Sequence, residues 1–155
     1  MDAITVIERC RQEEISLGEL ALRLEGEQNG ASPDEVLDRV EQMLVVMERA
    51  AHEALAKPVR SVSGLTGGDA YRYDQYRKEG RSILGEAASM AMAFALSSSE
   101  TNAAMGRIVA CPTAGSCGIL PAALFSMAHT HTFSRRQLQD AFLAAGVVGM
   151  IIDEH

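Results

Sequence analysis

The strongest constraint on the fold is a run of apolar side chains that recur every three or four residues between Val36 and Leu55. Such spacing places them on one face of an α-helix, where they form a stripe suited to a core. The preceding Ser32-Pro33-Asp34-Glu35 has the spacing of a capping box, with proline at the first helical position. Pro58 closes the pattern. The sequence therefore predicts a helix of about six turns.

Further helical patterns lie on both sides of this helix. Residues 3–27 predict two short helices or one interrupted helix, and residues 82–97 predict a second long, buried helix. Ser134 to Gln137 has another capping-box spacing and opens a last apolar helix. Aromatic residues make up only 5% of the 155-residue chain and tryptophan is absent, which favours aliphatic helix packing over a β-sandwich. We expect an all-α, compact multi-helix fold with two glycine-rich interhelical loops, forming one domain over residues 1–155.

Charge and hydropathy exclude several classes of function. The net charge is −7 and no basic run is present, so we expect no nucleic-acid partner. No apolar run reaches about 18 residues, and charged side chains are interspersed through the first 17 residues. We therefore expect no membrane span and no signal peptide, and a cytoplasmic location. The three cysteines have no disulfide-framework spacing.

Two glycine-rich segments are candidates for binding an anion. The first contains Ser63, Thr66, Gly67 and Gly68, within a stretch over residues 60–76 that we expect to be a loop. Hydroxyls and backbone N–H groups there could face a carboxylate. A plain interhelical loop is the alternative.

The second segment contains Thr113, Gly115 and Ser116, and offers the same groups just before a predicted helix start. It lacks the lysine of a phosphate-binding P-loop. The alternative is a tight connection with a serine cap. Asn102, which precedes this segment, could hold a carboxylate or an amine, or form a local Asx turn.

Two cysteines flank the second segment. Cys111 and Cys117 are six positions apart, so both could approach one metal ion, although no C-x-x-C pair or neighbouring histidine supports a zinc site. For at least one of them, the alternative is a small buried apolar side chain.

The segment from Glu100 to Ala122, with the letters ETNAAMGRIVACPTAGSCGILPA, closely resembles the alpha chain of the iron-sulfur-dependent L-serine dehydratases. Residues 60–70, RSVSGLTGGDA, resemble a loop of the same family. The leading helices are also similar to its amino-terminal portion, so the resemblance covers nearly the whole chain.

The resemblance implies that L-serine is converted to pyruvate and ammonia without pyridoxal phosphate, in amino-acid degradation and gluconeogenesis. A four-iron four-sulfur cluster would act as Lewis acid on the substrate hydroxyl. The family's cluster cysteines lie in motifs of the type Gly-Cys-Gln, Thr-Cys-Asp-Pro and Pro-Cys-Ile-Glu, which do not occur in this sequence. The resemblance therefore places the cluster ligands outside this chain, and Cys111 and Cys117 stay candidates on spacing alone.

The chain looks like the amino-terminal half of a longer alpha chain. The resemblance further implies a beta subunit or beta domain as partner, an oligomer, and a substrate-binding role for both glycine-rich segments. It gives no identity for the base that removes the α-proton. The alternative is a non-catalytic helical assembly module or a fragment with no activity alone. The predicted substrate-binding residues are Ser63, Thr66, Gly67, Gly68, Asn102, Thr113, Ala114, Gly115 and Ser116.

Overall fold

A computed structural model describes residues 2–153. These residues form seven α-helices and one short 3-10 helix, and their β-structure is limited to an isolated bridge between Arg60 and Gly67. The all-α prediction is confirmed. The helices are α1 (Ala3–Gln12), α2 (Leu17–Asn29), α3 (Pro33–Ala56), α4 (Asp69–Lys78), α5 (Glu86–Ala103), α6 (Ile119–Thr130) and α7 (Arg135–Asp153), and the 3-10 helix is Ala114–Ser116.

Helix starts follow the capping residues of the sequence. At α3 the Ser32 backbone N–H donates to the Glu35 carboxylate at 2.8 Å, and the Glu35 N–H donates to the Ser32 hydroxyl at 3.3 Å. Ser134 and Gln137 form the same reciprocal pair at α7, at 2.8 and 3.2 Å. Each pair satisfies backbone donors that a helix start would otherwise leave open. Both predicted helix starts are confirmed, and residues 3–27 form two helices.

The chain divides into two compact units, residues 1–42 with 133–155 and residues 43–132. In the first unit the buried core contains Val6, Leu20, Ala21 and Val147. Gly18 of α2 lies so close to α7 that a Cβ atom there would be 2.6 Å from a backbone oxygen. The single-domain interpretation of residues 1–155 stays a prediction, because α3 runs through both units.

The second unit is built around α5. Its Phe94 is 1% exposed, and Ser97 binds the backbone of α3, donating to the Ala50 carbonyl at 2.8 Å and accepting from the Ala54 N–H at 3.0 Å. Gly118 meets α5 at the start of α6, where a Cβ atom would be 2.8 Å from the Ala95 carbonyl oxygen. The second half of α5 is thereby held by α3 and α6.

Two boundary predictions are wrong. Residues 60–76 are a loop only up to Gly68, because α4 begins at Asp69. This helix has no apolar stripe, and its buried Asp74 is paired with Arg77 at 2.8 Å and Lys78 at 2.6 Å. The second long helix covers Glu86–Ala103 in place of residues 82–97, since the Ser97 and Thr101 hydroxyls in its polar final turns donate to the Ala50 carbonyl of α3.

Within residues 2–153, no helix is long and apolar enough to cross a membrane.

Candidate functional site

The last turn of α5 lies beside both glycine-rich segments. The Val62 N–H donates to the Ala103 carbonyl at 3.0 Å, which ties the first segment to the end of the helix. Asn102 donates from Nδ2 to the Ala114 carbonyl at 3.0 Å, which ties the second segment to the same turn. The structure thus brings the two predicted segments and Asn102 to one end of one helix.

The first segment, hereafter loop 61–68, is closed on itself. The Ser61 N–H donates to the Thr66 carbonyl at 3.0 Å, and the Thr66 N–H donates to the Ser61 hydroxyl at 3.2 Å. The Ser63 hydroxyl lies 3.1 Å from that of Ser61 and accepts from the Leu65 N–H at 3.4 Å. Ser63 and Thr66 are exposed, so both side chains face solvent at the surface of this unit.

Two of the three glycines of loop 61–68, Gly67 and Gly68, are required by its backbone. Gly67 has a φ of 126°, and a Cβ atom there would be 2.1 Å from the Val59 carbonyl oxygen. Gly68 has a φ of 84° and is buried. Only glycine adopts these conformations at little cost. Both glycines therefore shape the turn into α4, and their contact with a substrate stays a prediction.

The second segment, hereafter turn 111–118, contains a reciprocal cap. The Thr113 N–H donates to the Ser116 hydroxyl at 3.2 Å, and the Ser116 N–H donates to the Thr113 hydroxyl at 3.3 Å. The Ser116 hydroxyl also donates to the Cys111 carbonyl at 2.8 Å. These contacts are those of the tight, capped connection that was the alternative interpretation. Whether the hydroxyls also contact a ligand stays a prediction.

Ala114 and Gly115 form the exposed tip of turn 111–118. A Cβ atom built on Gly115 would find only the Thr113 hydroxyl oxygen within 4 Å, at 3.8 Å. The fold of the turn therefore leaves room for a side chain at this position. A glycine with such space keeps the backbone open to close approach from outside.

Cys111 and Cys117 have no third side chain beside them, among the described residues, with which to hold an iron-sulfur cluster. Burial raises the pKa of the Cys111 thiol, with a further contribution from nearby Cys117, and burial also raises the pKa of Cys117. Within the described residues, no three side chains from His, Cys, Asp and Glu are grouped so as to hold a metal ion.

Glu100 is a contact residue that the sequence interpretation missed. One carboxylate oxygen, Oε1, accepts from the backbone N–H groups of Asp69 at 2.6 Å and Ala70 at 3.1 Å. These groups begin α4, directly after loop 61–68. The only hint in the sequence was that Glu100 lies two positions before Asn102. The contact itself joins residues 30 and 31 positions apart, so no local sequence pattern indicates it.

The fold and the site define a helical protein that presents two short polar loops at the end of one buried helix. The model of the family described as "Serine dehydratase alpha chain" matches residues 4–155. The chain therefore belongs to the serine dehydratase alpha chain family.

Curated relatives agree with this assignment. The L-serine dehydratase alpha chain of Peptoniphilus asaccharolyticus is 33% identical over 150 residues, covering 97% of this chain and 51% of the relative. The probable L-serine dehydratase alpha chain of Bacillus subtilis (strain 168) is 33% identical over 147 residues, covering 95% and 49%. L-serine dehydratase TdcG of Escherichia coli (strain K12) is 47% identical over 62 residues, or 37% of this chain and 13% of the relative.

The chain thus spans about half the length of the alpha chains it matches. No solved structure matches it.

Proposed function

We propose that this chain supplies the scaffold and the substrate-contacting loops of an L-serine ammonia-lyase, which converts L-serine to pyruvate and ammonia. The observation that carries the proposal is the convergence of loop 61–68, Asn102 and turn 111–118 on the last turn of α5. Family membership supports the reaction, since its relatives are named L-serine dehydratases. The predicted site residues thus occupy one region of a fold from the appropriate family.

The proposed role of these loops is to hold the substrate carboxylate. Loop 61–68 offers the exposed hydroxyls of Ser63 and Thr66, and turn 111–118 offers exposed backbone at Ala114 and Gly115. Hydroxyl and backbone N–H donors are the groups that bind a carboxylate without adding a net charge. Holding the carboxylate would orient the α-carbon and the hydroxyl leaving group for the groups that perform the elimination.

A four-iron four-sulfur cluster is part of the proposal only for the complete enzyme. Such a cluster supplies a Lewis-acid iron for the substrate hydroxyl. Because no third ligand lies with Cys111 and Cys117 among the described residues, we propose that the ligands of the cluster lie outside these residues. A beta subunit or beta domain as partner, an oligomeric state and a cytoplasmic location also belong to the proposal.

A non-catalytic helical assembly module is the second candidate function. It is favoured by large apolar side chains that are exposed next to the two loops. Leu65 is 86% exposed, Met105 83% and Ile119 70%, which is typical of a surface that packs against another polypeptide. An assembly module would need this surface and would have no use for L-serine.

Calorimetric titration of the purified chain with L-serine, with D-serine as the control, separates the two candidates. The proposed function predicts binding of L-serine over D-serine. Anaerobic treatment with iron and sulfide, followed by iron counting and a pyruvate assay, is expected to give neither a stable cluster nor turnover. Absence of L-serine binding by a stable, monomeric chain would favour the assembly module. Formation of a stable cluster would indicate that cysteines of this chain, Cys111 and Cys117 among them, serve as its ligands.

A further inference from the structure

The start of α4 depends on a side chain from another helix. Its N-cap residue is Gly68, which has no side chain with which to bind the first open N–H groups. The carboxylate of Glu100 takes this role, accepting from Asp69 and Ala70 at 2.6 and 3.1 Å. A carboxylate is favoured there because the N-terminus of a helix carries partial positive charge. Loop 61–68 is therefore fixed at its α4 end by α5.

The same helical turn fixes the second segment. Asn102, two residues after Glu100, binds the Ala114 carbonyl of turn 111–118 at 3.0 Å. Between them, Thr101 is 2% exposed and its hydroxyl donates to the Ala50 carbonyl of α3 at 3.4 Å. The three consecutive residues Glu100, Thr101 and Asn102 thus bind, in that order, the start of α4 after loop 61–68, helix α3 and turn 111–118. This one turn therefore links the position of loop 61–68 to that of turn 111–118.

Burial makes Glu100 costly to keep. Its second carboxylate oxygen, Oε2, is buried and has no hydrogen-bond partner among the described residues. A buried polar atom without a partner lowers the stability of a fold. Glu100 thus combines two favourable bonds to Oε1 with the cost of an unpaired Oε2, and this combination favours a role in positioning in addition to stability.

We propose that Glu100 is a positioning residue of the L-serine site. It holds loop 61–68 at a fixed position relative to turn 111–118, so that both segments contact one ligand. This inference rests on the proposed function for its ligand. Glu100 itself does not touch the substrate, because its unpaired carboxylate oxygen Oε2 is shielded from solvent. Its effect on L-serine passes through the backbone of Asp69 and Ala70.

Hydrogen exchange measured by mass spectrometry tests the positioning without any ligand. Glu100→Ala is expected to speed exchange of the amides in segment 61–70 by about tenfold, because two backbone donors lose their acceptor. Glu100→Gln keeps an acceptor oxygen but loses the charge, so a smaller increase is expected. Unchanged exchange in segment 61–70, or a rise spread evenly over residues 43–132, would overturn the proposal.

The L-serine titration then separates positioning from general stability. Ser82→Ala is the matched control, because it removes contacts at the other end of α5, where Ser82 lies 2.8 Å from the Ser89 hydroxyl. Glu100→Ala is expected to weaken L-serine binding about tenfold, Glu100→Gln to restore part of it, and Ser82→Ala to leave it unchanged at equal or greater loss of stability. Wild-type affinity in Glu100→Ala, or an equal loss in Ser82→Ala, would overturn the proposal. If the unaltered chain binds no L-serine, the proposed function fails, and the exchange measurement alone decides the role of Glu100 in holding the loop.

Discussion

Asn102 donates a hydrogen bond from its side-chain amide to the carbonyl of Ala114, 12 residues later, at 3.0 Å. This bond joins the last turn of α5 to the exposed tip of turn 111–118. A side-chain amide has two N–H donors and a carbonyl oxygen, so the bond to Ala114 leaves Asn102 further hydrogen-bonding capacity. Asn102 can therefore hold the turn and also contact a ligand.

Replacement of Asn102 is expected to weaken L-serine binding. Asn102→Asp keeps the shape but places a carboxylate oxygen against the Ala114 carbonyl, so the turn loses its tie and gains a repulsion. We expect a loss of affinity of about tenfold, and a similar one for Asn102→Ala. Calorimetry measures both, with Asn29→Ala as control, since the Asn29 side chain binds the partly exposed Glu25 at the end of α2 at 2.7 Å. Wild-type affinity in both variants would remove Asn102 from the site.

Gly115 provides a test in which stability and binding separate. Because space surrounds its Cβ position, Gly115→Ala is expected to change the free energy of unfolding by less than about 0.5 kcal/mol. L-serine affinity is nevertheless expected to fall, since a methyl group would block approach to the backbone. In the complete enzyme, Gly115→Val or Thr113→Val is expected to raise the KM for serine or abolish turnover while the cluster stays intact. Unchanged kinetics in these variants would exclude turn 111–118 from the site.

Substitution of Gly67, in contrast to that of Gly115, is expected to lower the stability of the fold. Its φ of 126° and the 2.1 Å approach to the Val59 carbonyl oxygen leave no room for a side chain. Gly67→Ala should therefore destabilise the chain by more than about 2 kcal/mol, measured by denaturant unfolding. Gly64→Ala is the control, because Gly64 also has a positive φ, of 73°, but has open space at its Cβ position. Equal effects of both substitutions would show that steric contact at Gly67 is unimportant.

The ion pair between Glu41 and Arg135 is expected to make stability depend on pH. The Arg135 guanidinium, 2.8 Å away, holds the pKa of the Glu41 carboxyl below its ordinary value of 4.5. A carboxyl with a lowered pKa stabilises the folded state above its unfolded pKa, and this contribution is lost as pH falls through the folded pKa. Glu41→Gln should thus be less stable than wild type at pH 7, and the difference should shrink below about pH 4.5.

Thermal unfolding at several pH values measures this dependence. Glu8→Gln is the control, because Glu8 is exposed on α1 and forms no ion pair within residues 2–153. A difference between Glu41→Gln and wild type that persists unchanged at acid pH would contradict the role given to the ion pair.

The sequence predicted those parts of the fold that depend on local chemistry. Ser32 with Glu35 and Ser134 with Gln137 are separated by three residues, so their reciprocal caps are visible as patterns. The apolar stripe of α3 is visible for the same reason. The predicted site segments were likewise read from local composition, glycines beside hydroxyls.

The missed features depend on contacts between distant residues. Helix α4 is polar on all sides, and the acceptor for its first N–H groups comes from Glu100. The final turns of α5 are rich in serine, which is typical of a connecting loop, but the Ser97 and Thr101 hydroxyls both donate to the Ala50 carbonyl of α3, 47 and 51 residues away. Tertiary hydrogen bonds here override a composition typical of loops.

A residue-resolved NMR titration of the chain with L-serine tests whether the end of α5 forms an L-serine site. An L-serine site at the end of α5 predicts chemical-shift changes concentrated in loop 61–68, Asn102 and turn 111–118, absent with D-serine and weakened in Glu100→Ala. The absence of changes in these segments, or changes centred elsewhere in the chain, would contradict the claim that the end of α5 assembles an L-serine site.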